Sequence, residues 1–144
     1  MTNYMELKFN AISENEAFSR NVVACFCLAL NPTVTQLDDI KTAVSEAVTN
    51  CVVHAYEGKG GEVIIKASIE DTILHIDILD SGKGISDIEK ALKPFFTTKA
   101  SDERTGMGFT IMGAFMNELK VKNNELGGVT VSMTKNLDEK ERSE

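Results

Sequence analysis

A chain of 144 residues with 42% apolar and 26% charged side chains, ten glycines and two prolines has the composition of a single globular domain; a disordered, collagen-like or disulfide-stapled chain is excluded. Fifteen basic against 22 acidic residues leave a formal charge of −7, which argues against nucleic-acid binding and suits a basic protein partner. No apolar run reaches the roughly 18 residues of a membrane span, and no basic stretch followed by an apolar one opens the chain, so neither a membrane nor an export signal is expected.

Met5, Leu7, Phe9 and Ala11 alternate and predict a first strand from Met5 to Ala11. Ser13-Glu14-Asn15-Glu16 reads as a capping box. A helix follows to about Leu30, with Ala17, Phe18, Val22, Cys25, Phe26 and Ala29 as its apolar stripe, and Asn31-Pro32 ends it. A long helix is predicted from about Thr35 to Tyr56, with Asp38 and Asp39 in its first turn and Leu37, Ile40, Val44, Ala47, Val48 and Cys51 on its apolar face. Gly58-Lys59-Gly60-Gly61 is a turn that lacks the spacing of a phosphate-binding P-loop. Val63–Ile69 and Ile73–Leu79 form a hairpin turning at Glu70-Asp71. Ser86-Asp87-Ile88-Glu89 caps a short helix toward Lys93, Pro94–Thr105 is a loop, and Gly108 opens a helix to about Leu119. A short strand over Val121–Asn124, a turn at Leu126-Gly127-Gly128 and a last strand from Val129 to Lys135 complete one domain over residues 1–136. Residues 137–144 form a charged, frayed tail. Strands grouped apart from helices predict an α+β two-layer sandwich, one mixed and mainly antiparallel sheet with helices on one face. Cys25, Cys27 and Cys51, an odd number without an export signal, fit a reducing, cytoplasmic compartment.

Five groups of residues carry chemistry. Glu46, Asn50 and His54 recur at i, i+4 and i+8 on one side of the long helix. Asn50 offers a neutral oxygen to Mg²⁺, and Glu46 can accept a proton from an attacking hydroxyl. A solvated helix face has the same spacing. Asp80-Ser81-Gly82-Lys83-Gly84 follows an apolar strand; its carboxylate can accept the exocyclic amine of adenine where two glycines admit close approach, although Asp-x-Gly is also ordinary turn chemistry. Thr105-Gly106-Met107-Gly108 precedes a helix and can aim backbone N–H groups at anionic oxygens, or serve only as a loop needing positive φ. Phe95-Phe96-Thr97-Thr98-Lys99, with Arg104, can close a pocket over phosphates, or be a surface loop. Gly127-Gly128-Val129-Thr130 offers a hydroxyl to a ligand, or is a turn entering a strand.

In this order the five motifs resemble the GHKL ATP-binding superfamily, from about Met5 to Lys135. The stretches Ile40–Asn50, Arg104–Met112 and Ser13–Arg20 are most similar to its bacterial anti-sigma serine kinase group. The resemblance implies a homodimer that binds and inhibits a sporulation sigma factor of the sigma F kind. It also implies that the chain moves the ATP γ-phosphate to a serine of an anti-anti-sigma protein. Glu46 is then the catalytic base, Asn50 the Mg²⁺ ligand, Asp80 the adenine acceptor, and Gly82 and Gly84 shape the pocket. Gly106 and Gly108 cradle phosphates with Met107 and Phe109 beside them, Thr97, Thr98 and Lys99 cover the ATP or ADP, and Arg104 neutralises the transferred phosphoryl group. Thr130 supports the base, although Val129 stands where some members carry a second hydroxyl. Arg20, off the apolar stripe, is assigned to partner contact. Neither histidine precedes Glu46, so a hydroxyl on another protein is the expected acceptor. Two alternatives stay open: a nucleotide-gated binding module without transfer, and a general-stress anti-sigma kinase.

Overall fold

The computed structural model describes residues 2–93 and 107–138. Five strands, β1 (Thr2–Asn10), β2 (Glu62–Glu70), β3 (Ile73–Asp80), β4 (Glu118–Asn123) and β5 (Val129–Asn136), form one sheet in the order β1-β2-β3-β5-β4. All four pairings are antiparallel. The helices are α1 (Glu14–Cys27), α2 (Val34–Asn50), α3 (Ile88–Ala91) and α4 (Gly108–Phe115). The expected α+β sandwich is the architecture found, with an antiparallel sheet. Among the described residues no helix is long and apolar enough to cross a membrane.

The period of two along the strands sorts the faces. Val63, Ile65 and Ile69 of β2, Leu74, Ile76 and Ile78 of β3, and Val129, Val131 and Met133 of β5 are buried. They pack against Val23 and Cys27 of α1, Ile40, Ala43, Val44, Ala47 and Val48 of α2, and Met112 of α4. Lys66 and His75, on the other face, are exposed. Leu137 belongs to the core rather than to a frayed tail: it is buried, and its N–H donates to the Thr72 carbonyl at 2.9 Å.

Helix α1 is rotated from its predicted orientation. Its buried residues are Ser19, Val23, Ala24 and Cys27, while Phe18 is 50% exposed and Cys25 lies outside. The reason is Ser19, whose hydroxyl donates to the Glu16 carbonyl at 2.9 Å and can therefore sit in the core without an open hydrogen bond. Ser13 forms no capping box, because its own backbone is already helical (φ −57°, ψ −35°). The box belongs to α2. Thr33 Oγ1 accepts from Gln36 N at 3.0 Å and Gln36 Oε1 accepts from Thr33 N at 2.9 Å. Asp87, not Ser86, caps α3, accepting from Lys90 N at 3.1 Å. Helix α4 stops at Phe115, short of the predicted Leu119. Asn117 N donates to the Thr134 carbonyl at 2.8 Å, so β5 captures the chain as a strand.

Candidate functional site

Helix α2 continues past Asn50 into one wide π-helical turn, Cys51–Ala55. Such turns recur at functional sites because they re-aim the side chains beyond them. Here the turn, the end of β3, the segment 83–87, α3, the first turn of α4 and the start of β5 enclose a cavity of about 490 Å³. That volume suits a nucleotide-sized ligand. Asn50, Cys51, His54, Asp80, Gly84, Gly108, Phe109, Val129 and Val131 are on its wall.

Asp80 ends β3 and is 5% exposed. Its Oδ1 accepts the N–H groups of Gly82 at 3.0 Å and Val129 at 3.1 Å, and its Oδ2 accepts the thiol of Cys51 at 3.6 Å. Burial raises the Cys51 thiol well above its ordinary value, and the charge of Asp80 and its hydrogen bond act in the same direction, so the sulfur keeps its proton. Asn124 braces the same corner: its Nδ2 donates to the Asp80 carbonyl and to Thr130 Oγ1, both at 3.1 Å.

The segment after Asp80 is held from two sides. The Tyr56 hydroxyl donates to the Glu62 carbonyl at 2.6 Å and accepts from Ser81 N at 2.7 Å. Asn123 pairs with Ile85, accepting from its N–H and donating to its carbonyl, each at 2.8 Å. Gly84 takes φ +74°, a conformation that favours glycine. A Cβ at Gly82 would overlap the Ala55 carbonyl, so this glycine lets the segment lie against the π-helical turn.

At the other side of the cavity, α4 begins on α2. A Cβ at Gly108 would stand 3.3 Å from Asn50 Nδ2, Asn50 Oδ1 and Glu46 Oε2. That places the carboxylate, the amide and the start of α4 in one cluster. Glu46 Oε2 is closed to solvent, and Glu46 itself lies behind the wall rather than on it. The first N–H groups of α4 have no partner within their own helix and form the positive end of its dipole. Among the described residues no group of three or more His, Cys, Asp and Glu is placed to hold a metal.

The sequence-assigned residues Asn50, Asp80, Gly84, Gly108 and Phe109 thus meet at one cavity, with Gly82 and Glu46 directly behind it. Met107 is half-buried at the N-cap position of α4, with no capping bond from its side chain. Thr130 is not on the wall. The alternation of β5 turns Val129 and Val131 to the cavity, and the Thr130 hydroxyl accepts from Asn124 instead. Arg20 lies on α1 away from the cavity, paired with Glu16 and donating to Ser45 Oγ of α2 at 3.3 Å. Thr97, Thr98, Lys99, Arg104 and Gly106 lie outside the described residues. Residues the motifs missed are Cys51, read as part of an apolar helix face, and Tyr56, Asn123 and Asn124. The Asn-Asn pair at a strand end is a local signal for side-chain bonds to turn backbone.

The sequence pattern of the histidine kinase-like ATPase domain matches residues 10–135. The chain belongs to this family. Two relatives within it are anti-sigma F factors. That of Caldanaerobacter subterraneus subsp. tengcongensis is 55% identical over 133 residues, 92% of this chain and 93% of its own. That of Bacillus subtilis is 47% identical over 138 residues, 95% of this chain and 94% of its own. The chain stands with the anti-sigma F factors inside the family. Among solved structures, the RsbU and RsbW domains of a Mycobacterium tuberculosis protein match with a TM-score of 0.66 at 18% identity, over 94% of this chain and 32% of that one. The catalytic domain of the histidine kinase ThkA, free of nucleotide, matches with a TM-score of 0.60 at 18% identity, over 94% of this chain and 96% of that one. At that identity the likeness is one of fold.

Proposed function

We propose that the cavity binds ATP and that the chain is a cytoplasmic, homodimeric serine protein kinase and anti-sigma factor. It binds and inhibits a sporulation sigma factor of the sigma F kind, and it phosphorylates a serine of an anti-anti-sigma protein. The observation that carries this reading is the cluster of Glu46, Asn50 and Gly108 at the start of α4. A polyphosphate lying there meets the first N–H groups of α4, which have no partner within their own helix, a neutral amide oxygen and a carboxylate with one oxygen closed to solvent. A site for nucleotide binding alone does not require that carboxylate.

Within this reading Asp80 accepts the exocyclic amine of adenine, and Gly108 keeps α4 close to Asn50. The donor set suits Mg²⁺, which takes few protein ligands and completes its shell with phosphate and water; Asn50 Oδ1 is the oxygen that would hold it. When bound, the ion neutralises charge on the phosphate oxygens. Glu46 takes the proton of the incoming serine hydroxyl while its oxygen bonds to the γ-phosphorus and the bond to the departing ADP oxygen breaks. Thr97, Thr98, Lys99 and Gly106 keep the covering and cradling roles the resemblance gives them, and Arg104 that of neutralising the transferred group. Arg20 is the proposed contact to the sigma factor.

The test is transfer of labelled γ-phosphate from Mg-ATP into proteins of the source cell by the wild type and by Glu46→Gln. Acid-stable label in one small protein, lost with Glu46→Gln while ATP still binds, is the expected result. No Glu46-dependent label despite ATP binding reduces the function to a nucleotide-gated binding module. Acid-labile label replaces the serine with a histidine acceptor.

A further inference from the structure

A carboxylate offers about four lone-pair sites. Two donors, Gly82 N and Val129 N, occupy Oδ1 of Asp80 at 3.0 and 3.1 Å. Gly82 belongs to the segment after β3 and Val129 to β5. Oδ2 takes its donor from the helix layer, the thiol of Cys51 at 3.6 Å, carried on the first residue of the π-helical turn. Cys51 is 4% exposed and Asp80 5%, and both are on the cavity wall. Among the described residues one lone-pair site of Oδ2 is left for a ligand. The hydroxyl of Thr130 is turned away, and the apolar Val129 occupies the wall in its place.

We infer that Cys51 is a positioning residue for base recognition: its thiol occupies one of the two acceptor sites on Asp80 Oδ2 and fixes the carboxylate so that a single site faces the exocyclic amine of a 6-aminopurine. The inference rests on the adenine reading of the cavity. A thiol suits the place because it donates one weak hydrogen bond and otherwise behaves as a small hydrophobe, so it needs no further partner in an apolar wall. Without it, Oδ2 has two open sites at a nearly closed position. One of them then takes water, which competes with the amine, and the match to one amine is lost.

The experiment is calorimetric titration of ATP and of purine riboside triphosphate, which lacks only the 6-amino group. Both are run with Mg²⁺ against the wild type, Cys51→Ala and Cys51→Ser. Cys51→Ala is expected to weaken ATP about fivefold while purine riboside triphosphate changes by less than about twofold, the loss falling on the contact to the amine. Cys51→Ser, which restores a donor of similar size, is expected to recover the wild-type preference. Equal weakening of both nucleotides by Cys51→Ala overturns the inference in favour of mere packing. So does an unchanged preference, or Cys51→Ser behaving as Cys51→Ala does. A wild-type protein that binds both nucleotides equally instead overturns the adenine reading itself, and the role of Cys51 with it.

Discussion

Gly128 lies so close against Asp80 that a Cβ on it would overlap both the Asp80 carbonyl and the carboxylate oxygen Oδ1. The obstacle is backbone and a carboxylate already held by two N–H groups, so no flexible end can swing aside. Gly128→Ala therefore has to part β5 from the end of β3. The expected result is a stability loss of about 1–3 kcal/mol, typical of overpacking, together with at least a tenfold loss of ATP affinity as Asp80 is displaced. Thermal unfolding and nucleotide titration on the same preparation check it. Full ATP affinity in a folded variant would show that the position of Asp80 does not govern recognition.

Gly108 offers the opposite combination. A methyl there meets Asn50 and Glu46 at 3.3 Å, tight contacts that side-chain ends can relieve by moving a few tenths of an ångström. In a helix, alanine is favoured over glycine by up to about 1 kcal/mol. Gly108→Ala is thus expected to leave the melting temperature unchanged or slightly higher. Phosphoryl transfer, which depends on the placement of Glu46 and Asn50, is expected to fall at least tenfold. Melting curves and initial rates of transfer make the comparison. An unaltered rate would remove this cluster from the mechanism.

Much of the site was legible because its parts are local. Glu46 and Asn50 share a helix side by spacing alone, Asp80 follows an apolar strand, and Gly108 opens a helix. What was not legible depends on partners distant in the chain. The alternation of Val129, Val131 and Met133 already turns the valines to the core side; what no local pattern sets is that β5 lies beside the end of β3, with Thr130 opposite Leu79. The face of α1 was misread because Ser19 satisfies its hydroxyl inside its own turn and hides as a core residue. The end of α4 was overrun because residues 116–119 suit a helix until β5 claims Asn117. The capping box at Thr33 and Gln36 is equally local, and it starts the helix at Val34 rather than Thr35.

Cys27 gives a pH-dependent test of the core. It is the last residue of α1 and fully buried, and burial pushes its thiol from the ordinary 9.0 up to about 12. Below 9.0 both folded and unfolded chains keep this proton, and the full contribution of the buried thiol is present. Between 9.0 and about 12 the unfolded chain releases a proton that the folded chain retains, so stability falls as pH rises. The slope from this one group is about 1.4 kcal/mol per pH unit. Cys27→Ala removes that slope while lowering stability at neutral pH through the space it leaves. Every other ionisable group is common to the two proteins, so the difference between the two curves isolates Cys27. Urea unfolding of both, followed from neutral pH into the alkaline range, is expected to give curves that converge above 9.0. Curves that stay parallel would mean that Cys27 reaches solvent and ionises in the folded protein.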